Sequence, residues 1–121
     1  MSERAVVDLA EKLSQIAEHW SPKIVAQVGE MQVKLARIHG SFDWHSHANE
    51  DELFMVVDGR MKLEFKDREV WLDKGQLYVV PRGVEHRPVA PNETQIMLIE
   101  PAGTRNTGGR VTERTVEAEW L

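Results

Sequence analysis

Two histidines separated by a single residue, His45 and His47, are the first feature of the sequence with an evident chemical use. In an extended chain alternate side chains share a face, so the two imidazoles would lie on one side, roughly 7 Å apart. That distance suits two ligands of one metal ion. Glu52 comes after four further residues, and a turn through residues 48–50 would bring its carboxylate back beside the imidazoles. Imidazole nitrogen and carboxylate oxygen form a mixed donor set that divalent first-row metals accept.

The carboxylate in this set is not fixed by the local pattern, because Glu50, Asp51 and Glu52 are three consecutive acids. Strand phase alone does not choose among them. A third imidazole, that of His86, ends a second stretch, residues 75–86, which reads GQLYVVPRGVEH. Its glycines and proline predict a loop that delivers the histidine.

Together the two stretches resemble the two sequence motifs of the cupin superfamily. The first motif (here residues 40–59) runs glycine, H-x-H, glutamate and glycine, and the second (residues 75–90) runs glycine, proline, glycine, histidine and asparagine. The matching positions are Gly40, His45, His47, Glu52, Gly59, Gly75, Pro81, Gly83 and His86. There are two departures: four residues separate Gly40 from His45 where the family usually has five, and Ala90 replaces the asparagine.

The resemblance implies that His45, His47, Glu52 and His86 bind one divalent transition metal ion per chain, and the family spacing selects Glu52 among the three acids. The expected ions are Fe, Mn, Ni, Co or Zn. Zinc favours a closed tetrahedron in structural sites and three protein ligands in catalytic ones. Four protein ligands around an octahedral ion would leave two adjacent positions for a bidentate substrate or O2.

The resemblance also implies a class of function. We expect a metal-dependent enzyme that acts on a small polar metabolite, as a dioxygenase, an isomerase or a lyase. The alternative is a non-catalytic module that binds or senses a small ligand through the same metal site. A catalytic site should hold a titratable group beside the metal in addition to the ligands, and Tyr78, His39 and Glu50 are the sequence candidates.

The elements that must position these side chains read mainly as short strands with close turns. They are predicted at residues 23–28, 31–39, 44–47, 53–57, 60–66, 69–72, 77–80 and 94–99. This pattern predicts an all-β barrel or jelly roll, and the resemblance implies the same fold, the double-stranded β-helix. Apolar residues at helical spacing predict one α-helix over residues 3–19, capped by Ser2. Residues 1–22 would therefore be a helical segment and residues 23–121 the barrel domain.

Five side chains are candidates for the pocket inside the barrel. Phe54 and Val56 share the strand phase of Glu52 and would line the interior. Arg37 and Gln95 are polar residues within otherwise apolar strands, so we expect them to meet a ligand there. Tyr78 is a candidate for either the pocket or the core.

Composition narrows the partners and the location. The chain has 121 residues, which predicts one domain, and a formal net charge of −5, which argues against binding the phosphate backbone of nucleic acids. It has no cysteine, so disulfides and thiolate ligands are excluded. No apolar run approaches the length of a membrane span, and the first residues lack the apolar core of a signal peptide. We therefore expect a cytoplasmic protein whose partner is a small molecule.

A homodimer is also expected. An open jelly-roll sheet leaves strand edges that invite pairing. The chain ends with Trp120 and Leu121, and termini usually stay disordered unless they are docked. These two residues would be buried either against a second subunit or, as the alternative, against the barrel of their own chain.

Overall fold

The computed structural model describes residues 5–121, and within them it contains one helix and eight strands. The elements are α1 (Leu9–Ser14), β1 (Lys23–Val28), β2 (Met31–Ser41), β3 (Glu52–Asp58), β4 (Arg60–Phe65), β5 (Glu69–Asp73), β6 (Leu77–Val80), β7 (His86–Pro101) and β8 (Glu119–Trp120). The predicted all-β jelly roll with one helix near the N-terminus is confirmed. No helix in the described part of the chain is long and apolar enough to cross a bilayer. The cytoplasmic location stays a prediction.

Strand β7 connects the two halves of the barrel. The strands follow the order β5-β4-β7-β2-β1-β8, and β3 pairs with both β7 and β6. Near its start β7 pairs with β4, so that His86 lies opposite Phe65. Farther along, β7 pairs with β2 on one side and with β3 on the other. Alternate side chains of β2, β7 and β3 therefore lie side by side on the inner face of the sheet.

Strand β7 is longer than the sequence predicts, because it begins at His86 and not at residue 94. Proline lacks a backbone donor and is normally confined to strand edges and bulges. Here the carbonyl of Pro88 accepts a hydrogen bond from the backbone N–H of Phe42 at 3.0 Å, and Pro91 lies in an exposed stretch of the strand. Because the strand runs unbroken through both prolines, it carries His86 into the barrel.

The main core fills the barrel with apolar side chains from alternate positions of its strands. Its buried members are Ala36, Ile38, Phe54, Val56, Met61, Leu63, Phe65, Leu72, Val80, Ala90, Ile96 and Leu98. Burial of such side chains contributes roughly 1.5–3 kcal/mol for each large one. The polar site inside the barrel lies beside this packed apolar layer.

The N-terminal helix is shorter than predicted and packs outside the barrel. It spans Leu9–Ser14, and the carboxylate of Asp8 caps it by accepting the N–H of Glu11 at 3.2 Å. The prediction of residues 3–19 was wrong at both ends, because the Asp8 cap starts the helix late and the chain leaves it after Ser14 to run along β2. The predicted cap Ser2 lies outside the described residues. Leu13 and Ile16 pack into a second apolar cluster on the outer face of the barrel.

The C-terminal tail docks on its own chain, which is the alternative that the sequence left open. Strand β8 pairs in parallel with β1, and the N–H of Leu121 donates to the carbonyl of Ile24 at 2.9 Å. Leu121 also contacts the apolar cluster beneath the helix. Trp120 remains 59% exposed.

Candidate metal centre

Three imidazoles and one carboxylate converge inside the barrel. His45, His47, Glu52 and His86 are all buried, and each offers one ligand atom within 4.8 Å of the others. Glu52 is the first residue of β3 and His86 the first of β7, whereas His45 and His47 belong to the connection between β2 and β3. The sequence predicts these four residues as one set, and the structure places them together.

Backbone hydrogen bonds join the two histidine motifs. The N–H of His45 donates to the carbonyl of His86 at 3.0 Å, and the N–H of His86 donates back to the carbonyl of His45 at 2.9 Å. The N–H of Gly83 donates to the carbonyl of His47 at 2.7 Å. Residues 44–47 therefore do not form the predicted strand; they contribute a single bridge, His45 with His86.

The tautomers of two imidazoles follow from their backbone contacts. Nδ1 of His45 lies 2.8 Å from the carbonyl of Asp43, and Nδ1 of His86 lies 2.9 Å from the carbonyl of Val84. A carbonyl only accepts, so each Nδ1 carries the proton and donates it. In the neutral ring Nε2 then has a free lone pair, which is the usual way in which a second contact orients a metal-binding histidine.

The converging atoms fit a cation. Nε2 of His47, Nε2 of His86 and Oε1 of Glu52 are buried without a hydrogen-bond partner. Oε1 of Glu52 nevertheless lies 3.1 Å from Nε2 of His47 and 3.5 Å from Nε2 of His86. Buried polar atoms without partners destabilise a fold, so this cluster favours a cation placed between its atoms. A divalent metal ion among these atoms would satisfy all of them.

Electrostatics keep the site in the protonation state that metal binding requires. Burial, followed by the charge on His86, lowers the pKa of His45 from 6.5 to about 4. Burial on its own would raise the pKa of Glu52, but the polar groups of Glu100, His47 and His86 close to its carboxylate hold that pKa well below its usual range. A neutral imidazole and an ionised carboxylate are the forms that ligate metal.

Comparison with known proteins decides the family. The Cupin_2 family model, described as a cupin domain, matches residues 32–100. The chain is a member of the Cupin_2 family. A cupin-2 domain protein from Shewanella frigidimarina NCIMB 400, known from a crystal structure, is 43% identical, with a TM-score of 0.78 over 79% of this chain and 94% of that one.

Two further relatives agree with this assignment. The protein NMB1881 of Neisseria meningitidis is 31% identical, and its crystal structure has a TM-score of 0.75 over 81% of this chain and all of that one (100%). The protein YdbB of Bacillus subtilis strain 168 is 33% identical over 88 residues, which are 72% of this chain and 78% of YdbB.

A second carboxyl group, that of Glu100, lies beside the cupin site and was not anticipated from the sequence. Its side chain is 4% exposed, and Oε2 accepts a hydrogen bond from Nζ of the equally buried Lys34 at 2.5 Å. Oε1 has no hydrogen-bond partner. Burial and the charge on Glu52 raise the pKa of Glu100 well above its usual range, against the opposing effect of the Lys34 ammonium.

His45 and Glu52 of the four-residue cluster border a small, mainly apolar cavity of about 40 Å³. The polar wall consists of His45, Glu52, Glu100 and Asn106, and the apolar wall of Trp20, Pro22, Ala36, Ile38, Phe42, Phe54, Pro88, Ile96 and Leu98. Among the described residues that line it, none is a lysine or an arginine.

Trp20 forms part of the cavity wall in an unusual backbone conformation. Its φ angle is 60°, which bulky residues rarely adopt. The conformation is held by a hydrogen bond from its N–H to the carbonyl of Arg37 at 2.9 Å and by one from its Nε1–H to the carbonyl of His39 at 3.2 Å. The indole stacks on Phe42 with ring centroids 4.8 Å apart, and Phe42 meets the His45 ring edge to face.

The five pocket candidates have different positions in the structure. Phe54 lines the cavity, and Val56 lies in the barrel core. Arg37 and Gln95 do not line this cavity, because strand alternation places both on the outer side of the sheet, and their contact with a ligand stays a prediction. Tyr78 packs against Phe65, away from the cavity lining.

The contacts of Arg37, Gln95 and Tyr78 explain their positions. Arg37 donates from Nε to Glu93 at 2.8 Å and from Nη1 to the carbonyl of Ile16 at 2.9 Å. Gln95 is the cross-strand partner of Arg37 in β7. The hydroxyl of Tyr78 accepts a hydrogen bond from Arg68 at 2.8 Å. Lys34 of β2 and Glu100 of β7 are among the polar side chains that point into the barrel.

Proposed function

We propose that this cupin binds one divalent transition metal ion per chain through His45, His47, Glu52 and His86. The observation that carries the proposal is the convergence of Nε2 of His47, Nε2 of His86 and Oε1 of Glu52, all buried and without partners. Nitrogen and oxygen donors of this kind bind ions of Fe, Mn, Ni, Co or Zn. When bound, the ion supplies Lewis-acid or redox chemistry at the coordination positions that the four side chains leave free.

We further propose that the site is catalytic and acts on a small molecule with a mainly apolar body and an oxygen-donor group. Trp20, Phe42 and Phe54 in the cavity wall would hold the apolar body and exclude water. His45 and Glu52 border the same space, so the oxygen-donor end would lie beside the metal-binding residues. This refines the small polar metabolite expected from the sequence.

Glu100 supports an enzyme over a simple binding module. It is an ionisable group that lines the cavity beside the ligand Glu52 without belonging to the ligand set. Lys34 engages its Oε2, which leaves Oε1 free to exchange a proton with a bound molecule. General acid–base groups contribute typically 10²–10⁴-fold to an enzymatic rate.

The test is turnover by the metal-loaded protein across a panel of small aromatic and aliphatic acids, diols and phenols, followed by oxygen uptake and product analysis. We expect turnover with one chemical class and at least a hundredfold loss in Glu100→Gln, with the metal content unchanged. The matched control is Glu93→Gln, a carboxylate on the same strand that pairs with Arg37 at the surface. Saturable binding without turnover of any compound would instead assign the protein to the binding or sensing alternative.

A homodimer remains part of the proposal. The outermost strands β8 and β6 expose Trp120 and Leu77, at 59% and 53% respectively. Exposed apolar side chains on an edge strand favour pairing with a second copy.

A further inference from the structure

The segment that follows the family-matched residues crosses the loop that carries the first two histidines. We call residues 106–116 the strap. Two hydrogen bonds anchor it on that loop: from Oγ1 of Thr112 to Oδ2 of Asp43 at 2.8 Å, and from the N–H of Gly109 to the carbonyl of Ser46 at 3.2 Å. A third, from Nη1 of Arg114 to the carbonyl of Ser41 at 2.6 Å, anchors it on the last residue of β2, directly before the loop.

The closest approach is between Gly108 and Ser46, the residue between His45 and His47. Gly108 is buried and has a φ angle of +66°, and a Cβ at this position would lie 2.2 Å from the carbonyl oxygen of Ser46. No side chain fits in that space unless one of the two backbones moves. The absence of a side chain at Gly108 therefore lets the strap press directly on the peptide that joins the two histidines.

A second anchor acts on the orientation of His45. The carboxylate of Asp43 accepts the hydroxyl of Thr112, and the carbonyl of the same Asp43 accepts Nδ1–H of His45. The strap therefore fixes the residue that sets the tautomer of this imidazole. Contacts of this kind, one step removed from a metal ligand, typically change metal affinity 10–100-fold when they are lost.

Hydrogen bonds within the strap hold its residues together, so the strap acts on the histidine loop as one unit. Asn106 donates from Nδ2 to the carbonyl of Arg114 at 2.8 Å and accepts the N–H of Val116 at 3.1 Å. Oγ1 of the fully buried Thr107 lies 2.6 Å from Oγ1 of Thr115. Arg114 also lies over the ring of Phe42, with its guanidinium carbon 5.5 Å from the ring centroid.

We propose that the strap is a positioning element of the metal centre and that Gly108 is its central positioning residue. The inference rests on the proposed metal site. It assigns a role to residues beyond the segment 32–100 that the family model covers: they hold His45 and His47 in ligating geometry in advance of metal binding.

The experiment compares Gly108→Ala with two alanine variants in the same loop. Gly103 has a φ angle of +84° and nothing within 4 Å of a built Cβ, so Gly103→Ala reproduces the left-handed backbone strain alone. Gly109→Ala adds a methyl group in open space and keeps the N–H bond to Ser46. The readouts are the dissociation constant for Co²⁺, the absorption spectrum of bound Co²⁺, and hydrogen exchange of residues 43–47 in metal-free protein.

We expect Gly108→Ala to raise the Co²⁺ dissociation constant roughly 10–100-fold, change the Co²⁺ spectrum and speed exchange in residues 43–47. Both control variants should match the wild type in all three measurements. Equal affinity, spectrum and exchange in Gly108→Ala and Gly103→Ala would overturn the proposal. Another outcome is that the wild type binds no Co²⁺ while Gly108→Ala still exchanges faster in residues 43–47. That result would keep the positioning role and overturn only the metal site.

Thr112→Val provides a second test in case Gly108→Ala does not fold. At nearly constant volume it removes the hydroxyl that donates to Asp43 and that accepts the N–H of Arg114 at 3.1 Å. We expect a severalfold rise in the Co²⁺ dissociation constant and faster exchange of residues 43–47. Affinity and exchange identical to those of the wild type would contradict the coupling between the strap and His45.

Discussion

Nζ of Lys34 lies 2.5 Å from Oε2 of Glu100 in the interior of the barrel, and both side chains are less than 5% exposed (3% and 4%). The pair spans β2 and β7 and ends at the metal centre, because Glu100 also borders Glu52. A buried ion pair of this kind stabilises a fold little relative to apolar residues, but removal of one partner leaves an uncompensated group.

The first prediction follows from this pair. Lys34→Met should lower the free energy of unfolding by about 1–3 kcal/mol, because Oε2 of Glu100 stays buried and loses its hydrogen-bond donor. The double variant Lys34→Met/Glu100→Gln should be less destabilised than Lys34→Met alone. Urea denaturation in the presence of a chelator measures both values. A stability of Lys34→Met equal to that of the wild type would show that the pair is not buried as described.

The burial of this pair could not be predicted from the sequence. Met31–Ser41 alternates only weakly, and Gln32 and Lys34 read as a water-facing side, whereas in the structure both are buried. The alternation of residues along a strand shows which side chains share a face, but it does not show which face points into the barrel. Arg37 was expected inside because it is polar within an otherwise apolar strand, and it lies on the outer side.

The candidate metal-binding set, in contrast, could be predicted, because its four residues match two short motifs of the cupin superfamily. The local strand pattern alone left Glu50, Asp51 and Glu52 open, and the family spacing selected Glu52. Glu100 lies fourteen residues beyond His86, in a strand that was predicted too short because it contains Pro88 and Pro91. Its alternation with Thr94, Ile96 and Leu98 is the signal that would have placed it inside.

The second prediction concerns pH in the metal-free protein. The pKa of His45 is lowered to about 4 in the folded chain, and an unfolded histidine titrates near 6.5. Between these values the unfolded chain binds the proton more tightly, so this residue removes stability as the pH falls from about 6.5 towards 4. The full loss is about 3 kcal/mol.

The measurement is urea denaturation with chelator at about pH 7 and about pH 4.5, compared with His45→Asn. Other groups titrate in both proteins, so the informative quantity is the difference between the two pH dependences. We expect a steeper loss of stability for the wild type by about 2–3 kcal/mol. Equal pH dependences would mean that His45 is not held neutral by burial.

The third prediction is the homodimer and its contact. If β8 is the pairing edge, Trp120→Ala should weaken dimerisation measured by analytical ultracentrifugation at micromolar concentrations. Leu77→Ala, on the opposite edge strand β6, is the control that should leave the dimer intact. A wild-type protein that sediments as a monomer would remove the homodimer, and dissociation by Leu77→Ala alone would move the contact to β6.

The metal content of the purified protein tests the central proposal most directly. After reconstitution and removal of free ions, elemental analysis should find about one transition metal ion per wild-type chain. His47→Ala and His86→Ala should lose most of it, because each removes a nitrogen donor that has no other partner. His39→Ala, at an exposed position outside the cluster, should retain it. Full occupancy in both ligand variants, or a wild type that holds no metal, would contradict the account.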